Sequence, residues 1–215
     1  MISILIFSIV LQSQTKQRMF TGIIETLGTL HEVKKEGTNL HFTIESELAP
    51  ALKIDQSVAH NGVCLTVVAT DHQHLHTVTA IAETLRKTHL KNWQVGDKIN
   101  LERCMLADGR LDGHIVQGHV DQLGTCTKVT SEDGSWLYDF TFDPASGNYT
   151  VEKGSICVNG VSLTVVNSQP TGFSVAIIPY TYEHTNFHQI EVGTQINIEF
   201  DIIGKYIQRL TKGYV

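Results

Sequence analysis

The sequence predicts an all-β fold of two similar small barrels from an internal repeat, followed by a C-terminal helix. Three blocks recur in the same order about 97 residues apart: residues 57–68 at 155–166, residues 95–102 at 192–199 and, more loosely, residues 22–28 at 118–124. A period of this length describes a duplicated domain and not a solenoid unit. Short strand-like segments separated by turn signals within each copy are typical of a small closed barrel.

Residues 1–18 are expected to be an upstream extension outside the fold, with the working protein beginning at Met19. Residues 2–11 are apolar, but this run is too short to span a membrane. Only Met1 precedes the run, where a secretory signal carries basic residues. A cleaved or membrane-associating leader is the alternative interpretation.

The strands of each copy are bounded by strong turn signals. Residues 40–44 alternate apolar and polar side chains, which is the period of a half-buried strand. An Asn-Gly pair follows in each copy, at Asn61-Gly62 and at Asn159-Gly160. Asn-Gly favours a tight hairpin because both residues tolerate positive φ. The next strands are predicted over residues 75–81 and 173–178.

Helices are predicted at three places. A short helix follows in each copy, over residues 83–90 and 180–187. The tail has apolar residues at helical spacing and predicts an amphipathic helix that needs a partner surface, on a second subunit or on a barrel: Ile202, Ile203, Tyr206, Ile207 and Leu210. The expected boundaries are 19–106 for the first barrel, 107–203 for the second and 204–215 for the tail.

Composition is that of an ordinary globular protein, with 41% hydrophobic residues, 18% charged residues and a net charge of −6. No basic patch stands out, so neither nucleic acid nor a membrane is expected as a partner. The four cysteines form no C-x-x-C pair, which argues against a zinc ribbon and favours free thiols in a reducing cytoplasm: Cys64, Cys104, Cys126 and Cys157.

Several motifs together resemble the riboflavin synthase family, from Met19 to about Leu210. They are Met-Phe-Thr-Gly-Ile-Ile at residues 19–24, the two Asn-Gly-Val-x-Leu-Thr-Val segments, Glu-Thr-Leu-Arg at 83–86, and residues 113–119. The resemblance implies two lumazine-binding Greek-key barrels of six strands each. It also implies a homotrimer held largely by C-terminal helices, with each active site shared between the first barrel of one subunit and the second barrel of a neighbour.

The reaction implied by the resemblance is the final step of riboflavin biosynthesis. Two molecules of 6,7-dimethyl-8-ribityllumazine dismutate to riboflavin and 5-amino-6-(D-ribitylamino)uracil by transfer of a four-carbon unit, with no metal or other cofactor. The repeat makes physical sense of this chemistry, because donor and acceptor start as the same molecule and need two similar pockets. Pre-orienting two reactants can remove about 7–11 kcal/mol from a barrier.

The resemblance also places ligand-binding residues in each copy. The first pocket is expected to be lined by Gly22, Ile23, Ile24, Ser57, Cys64, Leu65, Thr66, Thr79, Ala80, Ile81, Ala82, Glu83 and Thr84, with Phe20 as a further contact. The second is expected to be lined by Gly118, His119, Val120, Lys153, Ser162, Leu163, Thr164, Ala176, Ile177, Ile178, Pro179, Tyr180 and Thr181. Backbone amides would read the pyrimidinedione edge, and Ser57 and Glu83 would bind ribityl hydroxyls.

Five residues are candidates for the chemistry itself. His119 can shuttle a proton, since histidine has an unperturbed pKa near neutrality, or it can simply hydrogen-bond structure. The repeat equivalents Cys64 and Ser162 can add to an electrophilic lumazine carbon or steer a water, or they can merely fill the barrel. Thr164 shares a strand face with Ser162 and can bind the pteridine edge. Asp201 can cap the tail helix, act as a catalytic carboxylate, or both.

Three further interpretations stay open. A non-catalytic lumazine- or flavin-binding antenna protein of the same fold is the alternative function, although both copies retain the Asn-Gly motif, which favours the enzyme. His114 has the same two interpretations as His119. His72, His74 and His76 would share a strand face and could hold a metal, but the second copy has no histidine at the aligned positions, which favours a solvated turn.

Overall fold

A computed structural model describes residues 19–211. The expected extension, residues 1–18, lies outside the described residues, as do the last four residues of the tail.

The first copy is a closed antiparallel barrel of six strands. Its strands are β1 (Thr26–Glu36), β2 (Asn39–Glu45), β3 (Ser57–His60), β4 (Val63–Thr70), β5 (Leu75–Ala80) and β6 (Lys98–Arg103), with helix α1 (Ala82–Lys87) between β5 and β6. The order around the barrel is β1-β2-β5-β4-β3-β6. Strands β3, β4 and β5 form a meander, and β2 pairs with β5 at its far side and not with β3, the next strand in sequence. This is the Greek-key connection.

The second copy repeats this barrel strand for strand. Its elements are β7 (Gln122–Glu132), β8 (Ser135–Phe142), β9 (Ser155–Val158), β10 (Val161–Gln169), β11 (Gly172–Ile177), helix α2 (Pro179–His184) and β12 (Gln195–Phe200), and the tail helix α3 (Ile202–Thr211) follows. The barrel closes in the order β7-β8-β11-β10-β9-β12. The predicted fold class, two six-stranded Greek-key barrels and a C-terminal helix, is confirmed.

The two helices inside the copies are shorter than predicted. Thr88 and Thr185 have extended backbones, with φ of −126° and −133°, and each ends its α-helix. Each threonine hydroxyl then accepts a hydrogen bond from the backbone of a following 3-10 turn, over His89–Asn92 and Asn186–Gln189. Each predicted helix is therefore an α-helix and a 3-10 turn joined at a capping threonine.

The Asn-Gly turns form the hairpins that were predicted, and they also bring the barrels together. Asn61 and Asn159 both have φ of 47°, and both glycines have positive φ. A Cβ added to Gly62 would lie 2.7 Å from the backbone nitrogen of Gly160. The two hairpins thus touch backbone to backbone, which only glycine permits.

Buried asparagines bind each hairpin to the other barrel. Asn100 Nδ2 donates to the carbonyl of Asn159 at 2.8 Å, and Asn197 Nδ2 donates to the carbonyl of Asn61 at 2.9 Å. Asn100 and Asn197 are repeat equivalents, each about 1% exposed. Because buried amides are costly to leave unpaired, this reciprocal pair favours one relative orientation of the barrels.

The core of the first barrel contains a histidine pair. His60 Nδ1 donates to the carbonyl of Val58 at 3.0 Å, so its Nε2 is bare and accepts from His76 Nε2 at 2.9 Å. His76 Nδ1 is then the acceptor for the Ser46 hydroxyl at 3.4 Å. Burial lowers the pKa of His60 well below its usual value, and it lowers the pKa of His76 to about 4.

This pair should make the protein sensitive to acid. Both imidazoles are neutral when folded and regain a pKa of about 6.5 when unfolded, so the unfolded state binds more protons at lower pH. The free energy of unfolding should be fully retained above about pH 6.5 and should fall as the pH drops towards 4. Urea denaturation at pH 7 and pH 5 measures this loss.

The second barrel supplies the matched variant. Val158 and Phe173 stand where the first barrel has His60 and His76, so His60→Val with His76→Phe should reduce the pH dependence between pH 7 and 5. An equally steep loss in the double variant would assign the acid sensitivity to other groups.

Candidate active site

On the first barrel, the predicted ligand residues meet on the outer face of β3, β4 and β5. Cys64 and Thr66 point away from the core of β4, and Ser57 pairs with Thr66 across the ladder. Val67 pairs with Val78 in the β4–β5 ladder, so Thr79 lies beside Thr66, one residue further along. Ile81 follows at the start of α1 and is 53% exposed. These five residues are called the first patch.

The second barrel carries the equivalent surface. Ser155 pairs with Thr164, and Ser162 lies two residues before Thr164 on the same outer face of β10. The β10–β11 ladder continues to place Ala176 beside Thr164. Ile178 precedes α2 and is 59% exposed. These five residues are called the second patch.

The start of each helix extends its patch. Ala82, Glu83 and Thr84 begin α1 directly after Ile81, and Pro179, Tyr180 and Thr181 begin α2 directly after Ile178. Both Glu83 and Tyr180 are exposed. The two patches therefore differ in charge and in aromatic character at this edge, as their sequences indicated.

Some predicted ligand residues have side chains turned away from the patches. Phe20, Leu65, Ala80 and Ile177 are buried in the hydrophobic cores, so only their backbone groups can face a ligand. Leu163 packs partly against the core of the second barrel. Lys153 is exposed and has φ of 64°, and its backbone nitrogen donates to the carbonyl of Val165.

The segments that enter the two barrels are exchanged between them. The carbonyl of Gly22 accepts from the backbone nitrogen of Ser162 at 2.8 Å, and the carbonyl of Gly118 accepts from that of Cys64 at 2.9 Å. Ile24 packs on the core of the second barrel, whereas Val120 packs on the core of the first.

This exchange corrects the expected lining of the pockets. Residues 22–24 were expected at the first pocket and residues 118–120 at the second, but each segment lies against the other barrel. The physical reason is that each chain segment crosses to the opposite barrel before its own first strand begins. Gly22 is consequently bonded to the second patch, and Gly118, which precedes His119, is bonded to the first.

Two buried carboxylates hold the exchanged segments. Glu102 accepts hydrogen bonds from the backbone nitrogens of Thr21 and Gly22 at 2.6 and 3.0 Å. Its repeat equivalent Glu199 accepts from the backbone nitrogen of His119 at 2.9 Å. Burial raises the pKa of Glu102 to about 7, against the opposing effect of its donors, and it also raises the pKa of Glu199. Neither residue is predicted from the sequence, although each ends a repeated block.

Ser162 has an imidazole partner. Its hydroxyl oxygen lies 2.6 Å from Nδ1 of His114, which is largely buried. Burial lowers the pKa of His114, and the negative charge of Asp201 partly offsets that effect. A neutral imidazole at this distance can accept the Ser162 proton and make the oxygen more nucleophilic. The sequence left His114 with the same two interpretations as His119, a direct role or a structural hydrogen bond, and did not indicate Ser162 as its partner.

Asp201 caps the tail helix, which confirms one of its two expected roles. Its Oδ1 accepts a hydrogen bond from the backbone nitrogen of Ile203 at 2.9 Å. The equivalent position in the first barrel is Cys104, whose thiol donates to the carbonyl of Ser57 at 3.6 Å. The second patch therefore has a nearby carboxylate where the first has a thiol.

The three alternating histidines do not share a face. His72 and His74 lie in an exposed turn, whereas His76 points into the core of the first barrel. Within residues 19–211, no group of three histidine, cysteine, aspartate or glutamate residues is arranged to hold a metal ion. In the same range, no helix has the length and apolar character needed to cross a membrane.

Comparison with known families agrees with the duplicated architecture. A family model described as the lumazine binding domain matches residues 21–104 and again residues 117–201. The fold and this match define a protein with two lumazine-binding domains. Crystal structures of LumP with 6,7-dimethyl-8-(1'-D-ribityl)lumazine and with riboflavin superpose with TM-scores of 0.76 and 0.77. They cover 85% and 84% of this chain and 99% and 98% of LumP, at 20% identity, so this likeness concerns the fold alone.

Full-length relatives are more similar in sequence. A riboflavin synthase of Bacillus subtilis (strain 168) is 41% identical over 193 residues, which is 89% of each chain. A riboflavin synthase of Schizosaccharomyces pombe is 38% identical over 204 residues, covering 92% of this chain and 96% of the relative. One from Actinobacillus pleuropneumoniae is 39% identical over 192 residues and 89% of each chain. The chain therefore belongs to the riboflavin synthase family.

Proposed function

We propose that this chain converts two molecules of 6,7-dimethyl-8-ribityllumazine into riboflavin and 5-amino-6-(D-ribitylamino)uracil by transfer of a four-carbon unit. The observation that carries the proposal is the pair of equivalent but unequal patches, in a chain whose relatives are riboflavin synthases. The patches are similar enough to hold two copies of one molecule. They differ enough for one copy to donate and the other to accept.

Positioning supplies much of the catalysis. Two stacked lumazines held at adjacent patches react as if in one molecule, and such orientation can lower a barrier by about 7–11 kcal/mol. The C7 methyl group of a lumazine is acidic because the pteridine delocalises the carbanion. A modest base is then sufficient to start the reaction, and no metal or other cofactor is required.

The second patch supplies the group for addition. Ser162, with His114 accepting its proton at 2.6 Å, adds to an electrophilic lumazine carbon or delivers a water to it. Thr164 lies two residues further on the same face and hydrogen-bonds the pteridine edge. Asp201 holds a negative charge near His114 and stabilises it if it becomes protonated.

The first patch supplies the group for proton exchange. His119 is exposed and follows Gly118, whose carbonyl bonds to Cys64. Its backbone is fixed by Glu199, which leaves the imidazole available to a ligand. An imidazole that reaches the bound ligand can act as a general acid or base.

The assembly that fits these surfaces is a homotrimer with shared active sites. Helix α3 is anchored by the ion pair of Lys205 with Asp121 at 2.7 Å. Four apolar side chains of this helix are nevertheless more than half exposed to solvent: Ile203, Tyr206, Ile207 and Leu210. A second copy of this chain would bury them, and would bring its second patch to the first patch of its neighbour. Residues 19–106 and 107–203 would then be the lumazine-binding barrels and residues 204–215 the trimerisation segment.

A cytoplasmic location completes the proposal. Cys126 and Cys157 are buried free thiols, and a reducing compartment preserves thiols of this kind. Burial also raises the pKa of both thiols, which keeps them protonated and unreactive.

Purified protein given only 6,7-dimethyl-8-ribityllumazine should produce riboflavin. Because the proposed chemistry uses only the chain and its substrate, the rate should be the same with and without a chelator. Riboflavin fluorescence measures the product, and the absorbance of the lumazine measures its consumption. Tight binding of lumazine without any riboflavin would support the antenna protein instead.

A further inference from the structure

A hydrogen-bonded chain leads across the outer face of the first barrel to Thr79 of the first patch. It begins at Glu36, at the end of β1, and passes through His41 on β2. His41 Nε2 lies 2.9 Å from Glu36 Oε2, and His41 Nδ1 lies 2.8 Å from Thr79 Oγ1. His41 and Thr79 are direct neighbours in the β2–β5 ladder. The His41 imidazole is only 22% exposed, so its hydrogen bonds are partly shielded from water.

The two partners of His41 determine where the hydrogens are. An ionised carboxylate can only accept, so Nε2 of His41 carries a hydrogen and donates it to Glu36. In the neutral imidazole Nδ1 is then bare and accepts from the hydroxyl of Thr79. The Thr79 hydrogen is thereby directed towards His41. The lone pairs of the Thr79 oxygen remain for another partner.

The second barrel closes without this arrangement. At the equivalent ladder position Leu137 pairs with Ala176, in place of His41 and Thr79. Glu132 stands at the position of Glu36. Both copies form the same six-stranded barrel, so closure does not require the imidazole or the threonine hydroxyl. The first patch accordingly has a polar row of Ser57, Thr66 and Thr79, whereas Ala176 interrupts that row in the second.

We propose that His41 is a positioning residue for the first patch. Held by Glu36, it fixes the Thr79 oxygen as a hydrogen-bond acceptor for a ligand N–H or hydroxyl group, and so gives the two patches different modes of holding the same kind of ligand. The inference rests on the proposed function, because it requires the first patch to bind a lumazine or flavin. His41 acts only through Thr79 and does not touch the ligand.

Riboflavin binding to the full-length chain tests this proposal without turnover. Riboflavin is the expected product, and its fluorescence reports binding. His41→Leu and Thr79→Val should each weaken the first-patch sites about fivefold, the loss expected for one neutral hydrogen bond. Binding at the second patch should be unchanged. The double variant should be no weaker than Thr79→Val alone, because the two residues act as one unit.

A conservative replacement separates positioning from packing. His41→Asn places an amide oxygen close to the position of Nδ1, and should restore affinity to within about twofold. Lumiflavin, which lacks the ribityl chain, identifies the ligand group. A loss seen with both flavins assigns the contact to the ring N–H, and a loss seen with riboflavin alone assigns it to a ribityl hydroxyl.

The outcomes that overturn the proposal are distinct from failure of the proposed reaction. Wild-type affinity in His41→Leu, additive losses in the double variant, or no riboflavin binding by the wild type would each overturn it. Thermal melts of every variant confirm that the barrel is folded. A chain that binds riboflavin and shows the predicted coupling, but turns over no lumazine, would contradict the proposed function and not the role of His41.

Discussion

Replacing Ser162 by alanine should lower kcat about a hundredfold, the low end of what positioned proton transfer contributes. The substitution removes the hydroxyl that lies 2.6 Å from His114 and leaves a side chain of nearly the same size. Binding of lumazine should weaken much less than kcat falls, because the lost interaction acts in the transition state. Steady-state kinetics with 6,7-dimethyl-8-ribityllumazine separates the two effects.

Cys64→Ser is the matched variant at the equivalent position of the first barrel. It should cause a milder loss, because a hydroxyl can still orient the ligand or a water. If both positions only fill the barrel, both changes will alter the melting temperature and leave kcat nearly unchanged. Wild-type kcat in Ser162→Ala would remove Ser162 from the proposed chemistry.

Truncation after Asp201 should convert the proposed trimer to smaller species and abolish most of the turnover. It removes the whole of α3, including the apolar side chains that are more than half exposed within residues 19–211. Activity should be lost with assembly, because each reaction site is proposed to need two chains. Sedimentation velocity and turnover on the same samples measure both effects.

A point variant separates loss of the helix from loss of its apolar face. Ile207→Lys with Leu210→Lys keeps the Lys205–Asp121 ion pair and should also dissociate the proposed trimer. Arg209→Ala is the control, since Arg209 is exposed and lies among the same residues. A fully active trimer after truncation would contradict the proposed role of the tail.

Much of the fold could be predicted from the internal repeat in the sequence. Strands and Asn-Gly hairpins have local signals, and the equivalence of Cys64 with Ser162 follows directly from aligning one copy with the other. The six-strand count and the Greek-key order came from the resemblance, since periodicity alone does not determine which strands pair. The helix lengths were overestimated because Thr88 and Thr185 cap new turns in place of continuing a helix.

The parts of the candidate site that were missed depend on contacts between copies. Aligning a repeat with itself cannot reveal that residues 22–24 pack on the other barrel, because either arrangement has the same pattern. His114 meets Ser162 across 48 positions of sequence, and no local pattern reports such a contact. In the sequence, Glu102 and Glu199 are indistinguishable from exposed charged residues at strand ends. Only the structure shows that backbone N–H groups donate hydrogen bonds to them.

The first patch of one chain and the second patch of another are proposed to form one reaction site. Thr66→Arg and Thr164→Arg test it, because each places a large charge in one patch at an exposed position that the barrel should tolerate. Each variant alone should be inactive. Co-expressed with different tags and purified through both, the mixed oligomers should regain turnover far above that of either parent, since some sites then combine two intact patches. Mixed oligomers as inactive as their parents would contradict the shared site.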